Sequence, residues 1–331
     1  MEATRKSVLY VHNSATTFVK IDRAILAEEW DVVEWYQQSR WFNMPRLWLA
    51  VRSSNLVFCW FASWHSLFPV LFAKLLGVRV IAVVGGYDTA RVPEAGYGSM
   101  RGGLVRRVAR TIIRHSDLLV TFSRFSASEV IRNGGASEEK VVVIYLGIPE
   151  REPGSWHERN CRAITVGGVW RENLHRKGLY PFVCAGHLLP EFELEVVGKW
   201  YDDSIDDLRR AASPNVRFTG FVTDGELDHC YKSSSVYVQP SLHEGFGMSV
   251  AEGMLAGCIP VVTRNGALPE VVGETGVYLD SVAPPVVAAA IRSAHGFGEI
   301  ARRAARQRIL DEFPLDRRRR ELKRVVRELI G

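Results

Sequence analysis

Short runs of β-branched and aromatic residues alternate with helical patterns along nearly all of this 331-residue chain. That alternation restricts the fold most, because strands joined through helices pair in parallel and are covered on both faces. In the first half the runs are SVLYVH, DVVEWY, NLVFCWF, VRVIAVVG, DLLVTFS and KVVVIYLG, each ended by polar or Gly punctuation. Helical patterns such as TTFVKIDRAILAEEW and RGGLVRRVARTIIRHS lie between them. The polar, Pro- and Gly-containing segment PEREPGSWHERN, residues 149–160, breaks the pattern and reads as a linker. The alternation then resumes with CRAITVGG, ELEVVGK, NVRFTGF, SVYVQPS, IPVVTR and GVYLD. Two doubly wound α/β domains in tandem are expected, each long enough to bury a core. LDRRRRELKRVVREL, after Pro314, is a basic amphipathic helix whose Leu and Val stripe must dock on something.

Charged residues make up 24% of the chain, ordinary for a soluble globular protein. The charge is uneven: up to Ile148 there are 18 Lys and Arg against 12 Asp and Glu, and beyond it 24 against 25. A basic first half suits an anionic partner such as a membrane surface, a lipid phosphate or nucleic acid; an ordinary solvated surface has the same composition. Cys59, Cys161, Cys184, Cys230 and Cys258 are odd in number and form no CxxC. They suggest neither a disulfide framework nor a zinc site, and fit a reducing cytoplasm. MEATRKSVLYVHNS has too short an apolar run for a secretory signal. Residues 53–73 carry no formal charge over a length close to the about 20 residues that span a bilayer. Ser63, His65, Ser66 and Pro69 interrupt them, and they divide naturally into a buried strand and a helix starting near Ser66 with Pro69 in its first turns.

Ligands of open α/β sheets bind beyond the carboxyl ends of the strands. SVYVQPS is such a strand and HEGFG the loop at its end. A helix starting around Gly247 would turn the free amides of Gly247, Met248 and Ser249 toward that crevice. Those amides and the helix dipole make an anion site suited to a diphosphate, and Gly245 and Gly247 let the backbone come close. Glu252, about one turn into the helix, is placed to accept from neighbouring hydroxyls such as the two of a ribose. Glu244, before the helix, would be repelled by a diphosphate and meets sugar hydroxyls more naturally. Spacing alone also suits Glu252 as a surface helix charge and Glu244 as a residue the dipole favours.

SLHEGFGMSVAEGMLAGCIPVVTRNGALPEVVGETGVYLD resembles the signature of the retaining glycosyltransferase family 4. Glu244 and Glu252 with seven residues between them, Gly245, Gly247 and PEVVGETG carry the resemblance. VTFSRFSASEVIRNGGASEEKVVVIYLGI and ITVGGVW…HRKGL are similar, in order, to the end of that family's first domain and the start of its second. The resemblance implies the GT-B fold, two Rossmann-like doubly wound domains facing across a cleft. Residues 1–148 would then bind the acceptor and 149–312 a nucleotide-diphospho-sugar donor. Residues 313–331, with FPLDRRRRELKRVV, resemble the closing helix that crosses back to the N-terminal domain. It further implies that Glu252 reads the ribose, Glu244 lies near the donor sugar and Lys177 of RKG binds the diphosphate. Gly245, Phe246, Gly247, Met248 and Ser249 would line the donor. The donor, a UDP-sugar or its GDP counterpart, is a substrate rather than a cofactor.

Two positions depart from the family pattern. Gly168 stands where the diphosphate arginine is usual, so that Arg171 or Arg176, after the longer loop GGVWRENLH, would substitute; either also reads as a loop charge. In VVGGYD, Gly86 stands where a histidine is common, which leaves Asp88 as the acceptor-side catalytic candidate. NSATTFVKIDRAIL replaces the usual Gly-Gly loop: Thr16 or Thr17 would cap the next helix, and Lys20 would meet an acceptor or phosphate. His65 lies at a ligand-facing strand end or packs as a hydrogen-bonded core histidine. No Asp-x-Asp occurs, and YDDSIDD reads as a surface loop, which suits metal-independent transfer by helix amides and cations. No GxGxxG is present to suggest a nicotinamide enzyme.

Arg101, Arg106, Arg107, Arg110 and Arg114 share one helical segment with Leu104, Val105, Val108, Ile112 and Ile113, and six of nine tryptophans lie in the first domain. Such a helix with nearby aromatics suits an anionic lipid surface; a surface helix over core tryptophans reads the same way. The expected protein is therefore a retaining, metal-independent hexosyltransferase acting on a glycan, lipid-linked or small-molecule hydroxyl. It would be cytoplasmic or peripheral on the inner face of the membrane, touching anionic lipid through residues 101–114, with no nucleic-acid partner. The alternatives are a nucleotide-sugar epimerase on the same fold and a GT-like scaffold that has lost catalysis.

Overall fold

The structure is a computed structural model that describes residues 5–156 and 160–331. Among them the strands form two six-stranded, all-parallel sheets. One compact unit holds nearly all of the chain to Gly147 together with Leu315–Gly331, and the other holds Ile148–Pro314.

The first sheet comprises β1 (Ser7–His12), β2 (Asp31–Tyr36), β3 (Leu56–Trp60), β4 (Arg79–Val84), β5 (Leu118–Thr121) and β6 (Val141–Val143), in the order β2-β1-β3-β4-β5-β6. Strand burial follows position. Every residue of central β3 is buried, whereas edge strand β2 is exposed or half-exposed throughout, including Val33 and Tyr36. Residues 53–73 divide as expected into β3 and the helix Trp64–Leu76. That helix starts two residues before Ser66, and Pro69 lies inside it, within its first two turns. No helix among the described residues is long and apolar enough to cross a membrane. The helices Met44–Arg52, Trp64–Leu76 and Gly103–His115 pack side by side. They share one face of the sheet because the crossovers from β2 to β3, β3 to β4 and β4 to β5 all run in one direction with the same hand. The last helix, Leu315–Ile330, docks on this unit through buried Leu322, Val325 and Val326, its stripe facing inward.

The second sheet comprises β7 (Arg162–Val166), β8 (Glu193–Val197), β9 (Val216–Gly220), β10 (Val236–Gln239), β11 (Ile259–Thr263) and β12 (Val277–Leu279), in the order β12-β11-β10-β7-β8-β9. Order reverses between β7 and β10, the topological switch point at which doubly wound sheets take their ligands. Leu179, Phe182 and Val183 fill the core on one face of this sheet with Val287 and Ile291. The segment read as a linker is, over residues 150–156, bound to the second unit. Gly154 N donates to Ala256 O at 3.1 Å, and the Arg303 guanidinium sits 4.6 Å over the Trp156 ring. Residues 157–159 of that segment lie outside the described residues.

Candidate functional site

At the carboxyl end of β10 the chain turns through Ser241–Phe246 into the helix Met248–Leu255. Gly247, at the N-cap, has φ +105°, and a Cβ there would stand 3.1 Å from Leu268 Cδ2, so the turn requires glycine. Gly266 carries φ +66° and lies against the Glu244 backbone, while Ala267 N donates to Glu244 O at 2.9 Å. The loop bearing Glu244 is thereby pinned on both sides. The Met248 and Ser249 amides lie in the first turn, where an α-helix offers no internal acceptor.

Glu244 is buried. Its Oε2 accepts from Gln239 Nε2 at 2.7 Å and lies 3.6 Å from Lys177 Nζ. Burial by itself would raise the Glu244 carboxyl, but Lys177 and Arg176 together hold it below the ordinary range. Lys177 is itself lowered, first by burial; Glu244 attracts its proton and Arg176 repels it. The two shifts agree once the neighbours are named: the carboxylate faces two cations, the ammonium one anion and one cation. Lys177 reaches this place because Gly178, with φ +72°, turns the chain against the Pro240 carbonyl, where no Cβ would fit. Gln239 also accepts from Ser249 (3.2 Å), which in turn accepts from Tyr237 at 2.7 Å, and the Tyr237 hydroxyl oxygen lies 3.0 Å from Gln239 Oε1. A continuous polar chain therefore runs from Lys177 to the helix N-terminus.

Glu252, one turn further on, is nearly buried. Its Oε2 accepts from the Tyr231 hydroxyl at 3.0 Å, and its Oε1 lies 3.5 Å from Arg151 Nη2. Burial raises its pKa, Arg151 and Tyr231 lower it, and Asp224 raises it again, with a net rise.

The second unit thus gathers Lys177, Glu244, Gly247, Ser249 and Glu252 around one helix N-terminus. It does not bring Arg171 there. That side chain is exposed and pairs with Asp203 (3.0 Å) and Asp207 (2.5 Å), because the acids of YDDSIDD, partly in the helix Ser204–Ala211, face it. Arg176 is buried and braces the site from beneath, donating to Asn173 Oδ1 at 2.6 and 3.0 Å and to His243 O at 3.2 Å. Gly168 is packed against Trp170 and Tyr201, and its carbonyl accepts from Asn173 Nδ2 at 2.8 Å. Phe246 is buried edge-on against Phe313.

In the first unit, Asp88 is 2% exposed and its oxygens accept from the amides of Ala62 (2.8 Å) and Gly85 (3.0 Å). Burial raises its pKa to about 7 against those bonds. Its carboxylate ties two strand-end loops together. His65 is fully buried with Nε2 at 2.7 Å from Trp60 O, and burial lowers its pKa to about 4, so it packs as a core histidine rather than at an open strand end. Thr17 and Lys20 are exposed on the helix Thr17–Ala27; Thr16 is its N-cap by backbone geometry, without a side-chain bond. Sequence reasoning missed Arg151, Tyr231, Gln239 and Asn173. None belongs to the glutamate spacing; Gln239 comes from the strand end five residues before Glu244, and long-range packing brings the other three.

Solved structures place the architecture. Anabaena Alr3699/HepE in complex with UDP-glucose matches 98% of this chain and 100% of its own with a TM-score of 0.78 at 15% identity. The fold is GT-B. The sequence profile of glycosyl transferases group 1 matches residues 161–295, and that of the glycosyl transferase 4-like domain matches residues 22–147. Across both units, the chain belongs to the group 1, family 4-like glycosyltransferases. It is 31% identical over 189 residues to O-antigen chain mannosyltransferase B of Escherichia coli, covering 49% of this chain and 47% of that protein. It is 32% identical over 187 residues to the MMP alpha-(1->4)-mannosyltransferase of Mycolicibacterium hassiacum, covering 54% and 44%. The chain therefore spans about half the length of these curated relatives.

Proposed function

We propose that this protein transfers a sugar from a nucleotide-diphospho-sugar to a hydroxyl acceptor, with retention and without a metal. The observation that carries this reading is the Lys177–Glu244 pair, 3.6 Å apart, beside the free amides of the helix Met248–Leu255. As the glycosidic bond breaks, negative charge grows on the leaving diphosphate. Lys177 and the helix N-terminus are fixed cationic and dipolar groups suited to that charge, and their burial makes them effective. Glu244, kept ionised by two cations, accepts from donor-sugar hydroxyls. Glu252 accepts from the ribose. Retention is the stereochemistry the family resemblance implies.

Both curated relatives are mannosyltransferases by name, so mannose is the first sugar to try. The test is incubation with a panel of UDP- and GDP-sugars, with and without lipid extract and with EDTA, following nucleotide release and product mass. Transfer that survives EDTA supports the reading. An epimerised donor supports an epimerase, and absence of both turnover and donor-induced stabilisation supports a scaffold.

The acceptor side reads as peripheral to anionic lipid. On the face of the first unit formed by the helices Met44–Arg52, Trp64–Leu76 and Gly103–His115, Arg46, Arg52, Lys74, Arg106, Arg107 and Arg114 are exposed. Leu49, Leu75, Leu104 and Val105 are exposed among them, and Trp41, just before the first of these helices, is 89% exposed. The expected amphipathic helix thus divides, with Ile112 and Ile113 packed inward and Leu104 and Val105 outward. Cations around exposed apolar side chains suit the interface of an anionic bilayer.

A further inference from the structure

Residues 150–156 lie directly on the helix Asp224–Ser233: a Cβ on Gly154 would stand 2.3 Å from Lys232 O. Arg306 Nη1 donates to the carbonyls of Arg151 and Leu255, at 2.5 Å each, and so fixes the Arg151 backbone beside the end of the helix that bears Glu252. From there the Arg151 side chain reaches Glu252 Oε1 through Nη2 at 3.5 Å and Asp228 Oδ1 through Nη1 at 3.9 Å. Asp228 is also held by Lys232 at 2.7 Å.

We propose that Arg151 is a positioning residue for the nucleotide: it keeps Glu252 ionised and aimed, and so makes the segment before β7 part of the donor site. This rests on Glu252 reading the ribose. A buried carboxylate favours its neutral form, and a neutral acid is a poor acceptor for two hydroxyls. Tyr231 occupies Oε2 from the helix Asp224–Ser233. Asp224 of that helix opposes ionisation, and Asp228, which also carries negative charge, is shared between Arg151 and Lys232. Arg151 supplies the positive charge from the facing segment. At 3.5 Å its bond to Oε1 is long, so it acts mainly through charge and leaves Oε1 open to a hydroxyl.

The experiment is calorimetric titration of the full chain with UDP and with GDP across pH. It compares wild type, Arg151→Ala, Arg151→Lys, Glu252→Gln and the Arg151→Ala/Glu252→Gln double variant, with thermal unfolding alongside. Arg151→Ala is expected to weaken the binding nucleotide about tenfold at neutral pH and to move the acid limb of affinity to higher pH, because one of the two groups that lower the Glu252 pKa is gone. Arg151→Lys should retain most of the affinity. The double variant should bind no more weakly than Glu252→Gln, since Arg151 acts through that carboxylate. If Arg151→Ala does not fold, Arg151→Gln makes the same comparison. Weakened binding in Glu252→Gln with unchanged affinity and acid limb in Arg151→Ala overturns the proposal and leaves the donor reading standing. A double variant weaker than either single one also overturns it, by showing direct contact between Arg151 and nucleotide. Wild-type affinity in Glu252→Gln overturns the donor reading itself.

Discussion

Arg318, on the last helix, and Asp22, on the first, form a two-bond pair inside the first unit: Nε to Oδ1 and Nη2 to Oδ2 are each 2.6 Å, and both side chains are buried. Arg318 also donates to the carbonyls of Ile144 (2.8 Å) and Tyr145 (3.0 Å), so one guanidinium joins the first helix, the end of the first domain and the terminal helix. Removing one partner leaves a buried charge unpaired. Arg318→Ala is expected to lower the unfolding free energy by about 3–5 kcal/mol, measured by urea denaturation. The Arg318→Leu/Asp22→Leu double variant should lose much less.

Lys177 and Glu244 should separate in kinetics. On the proposed reading Lys177 faces the leaving diphosphate, and in Lys177→Ala kcat is expected to fall about 100-fold or more. Glu244→Gln should lower kcat while leaving the Kd for the free nucleoside diphosphate nearly unchanged, because the proposed role of Glu244 is toward the donor sugar and not the nucleotide. Steady-state kinetics beside calorimetry checks both.

The two glutamates also differ in how they titrate. The Glu252 pKa is raised, chiefly by burial, and the Glu244 pKa is lowered, because Lys177 and Arg176 outweigh burial. As pH falls, Glu252 therefore protonates first, above the ordinary glutamate range, and nucleotide affinity is lost with it. In a pH–affinity profile this acid limb should vanish in Glu252→Gln and persist in Glu244→Gln.

Gly247→Ala tests the turn. Its φ of +105° is costly for any side chain, and the expected loss of stability is about 1–2 kcal/mol. Thermal unfolding reads it, and nucleotide binding should weaken as the Met248 and Ser249 amides move.

Vesicle sedimentation tests the basic face. Wild type should pellet with phosphatidylglycerol vesicles and not with phosphatidylcholine alone, and less so as salt rises. Arg106→Glu/Arg107→Glu should abolish pelleting without changing nucleotide binding.

The parallel strands were legible because each is a local run of β-branched residues, and period and punctuation are properties of adjacent residues. The strand end, glycine turn and helix start that carry Glu244, Gly247 and Glu252 were legible for the same reason, whereas the roles of the two glutamates came from the resemblance. Lys177 was reached by resemblance, and its approach to Glu244 is a product of folding. Arg171 and Arg176 looked alike in a loop; only packing sends one to Asp203 and Asp207 on the surface and buries the other beneath His243. Asp88 and His65 carried chemistry as residue types, but the fold closes backbone groups around them. Arg151 lay in a segment whose composition said only linker, and tertiary structure set it beside Glu252. Sequence by itself determined the elements and the short motif, because those depend on near neighbours. Which charges meet was decided by the tertiary structure, because a charge's partner, burial and pKa depend on residues far away in sequence, 101 positions for Arg151 and Glu252 and 296 for Arg318 and Asp22.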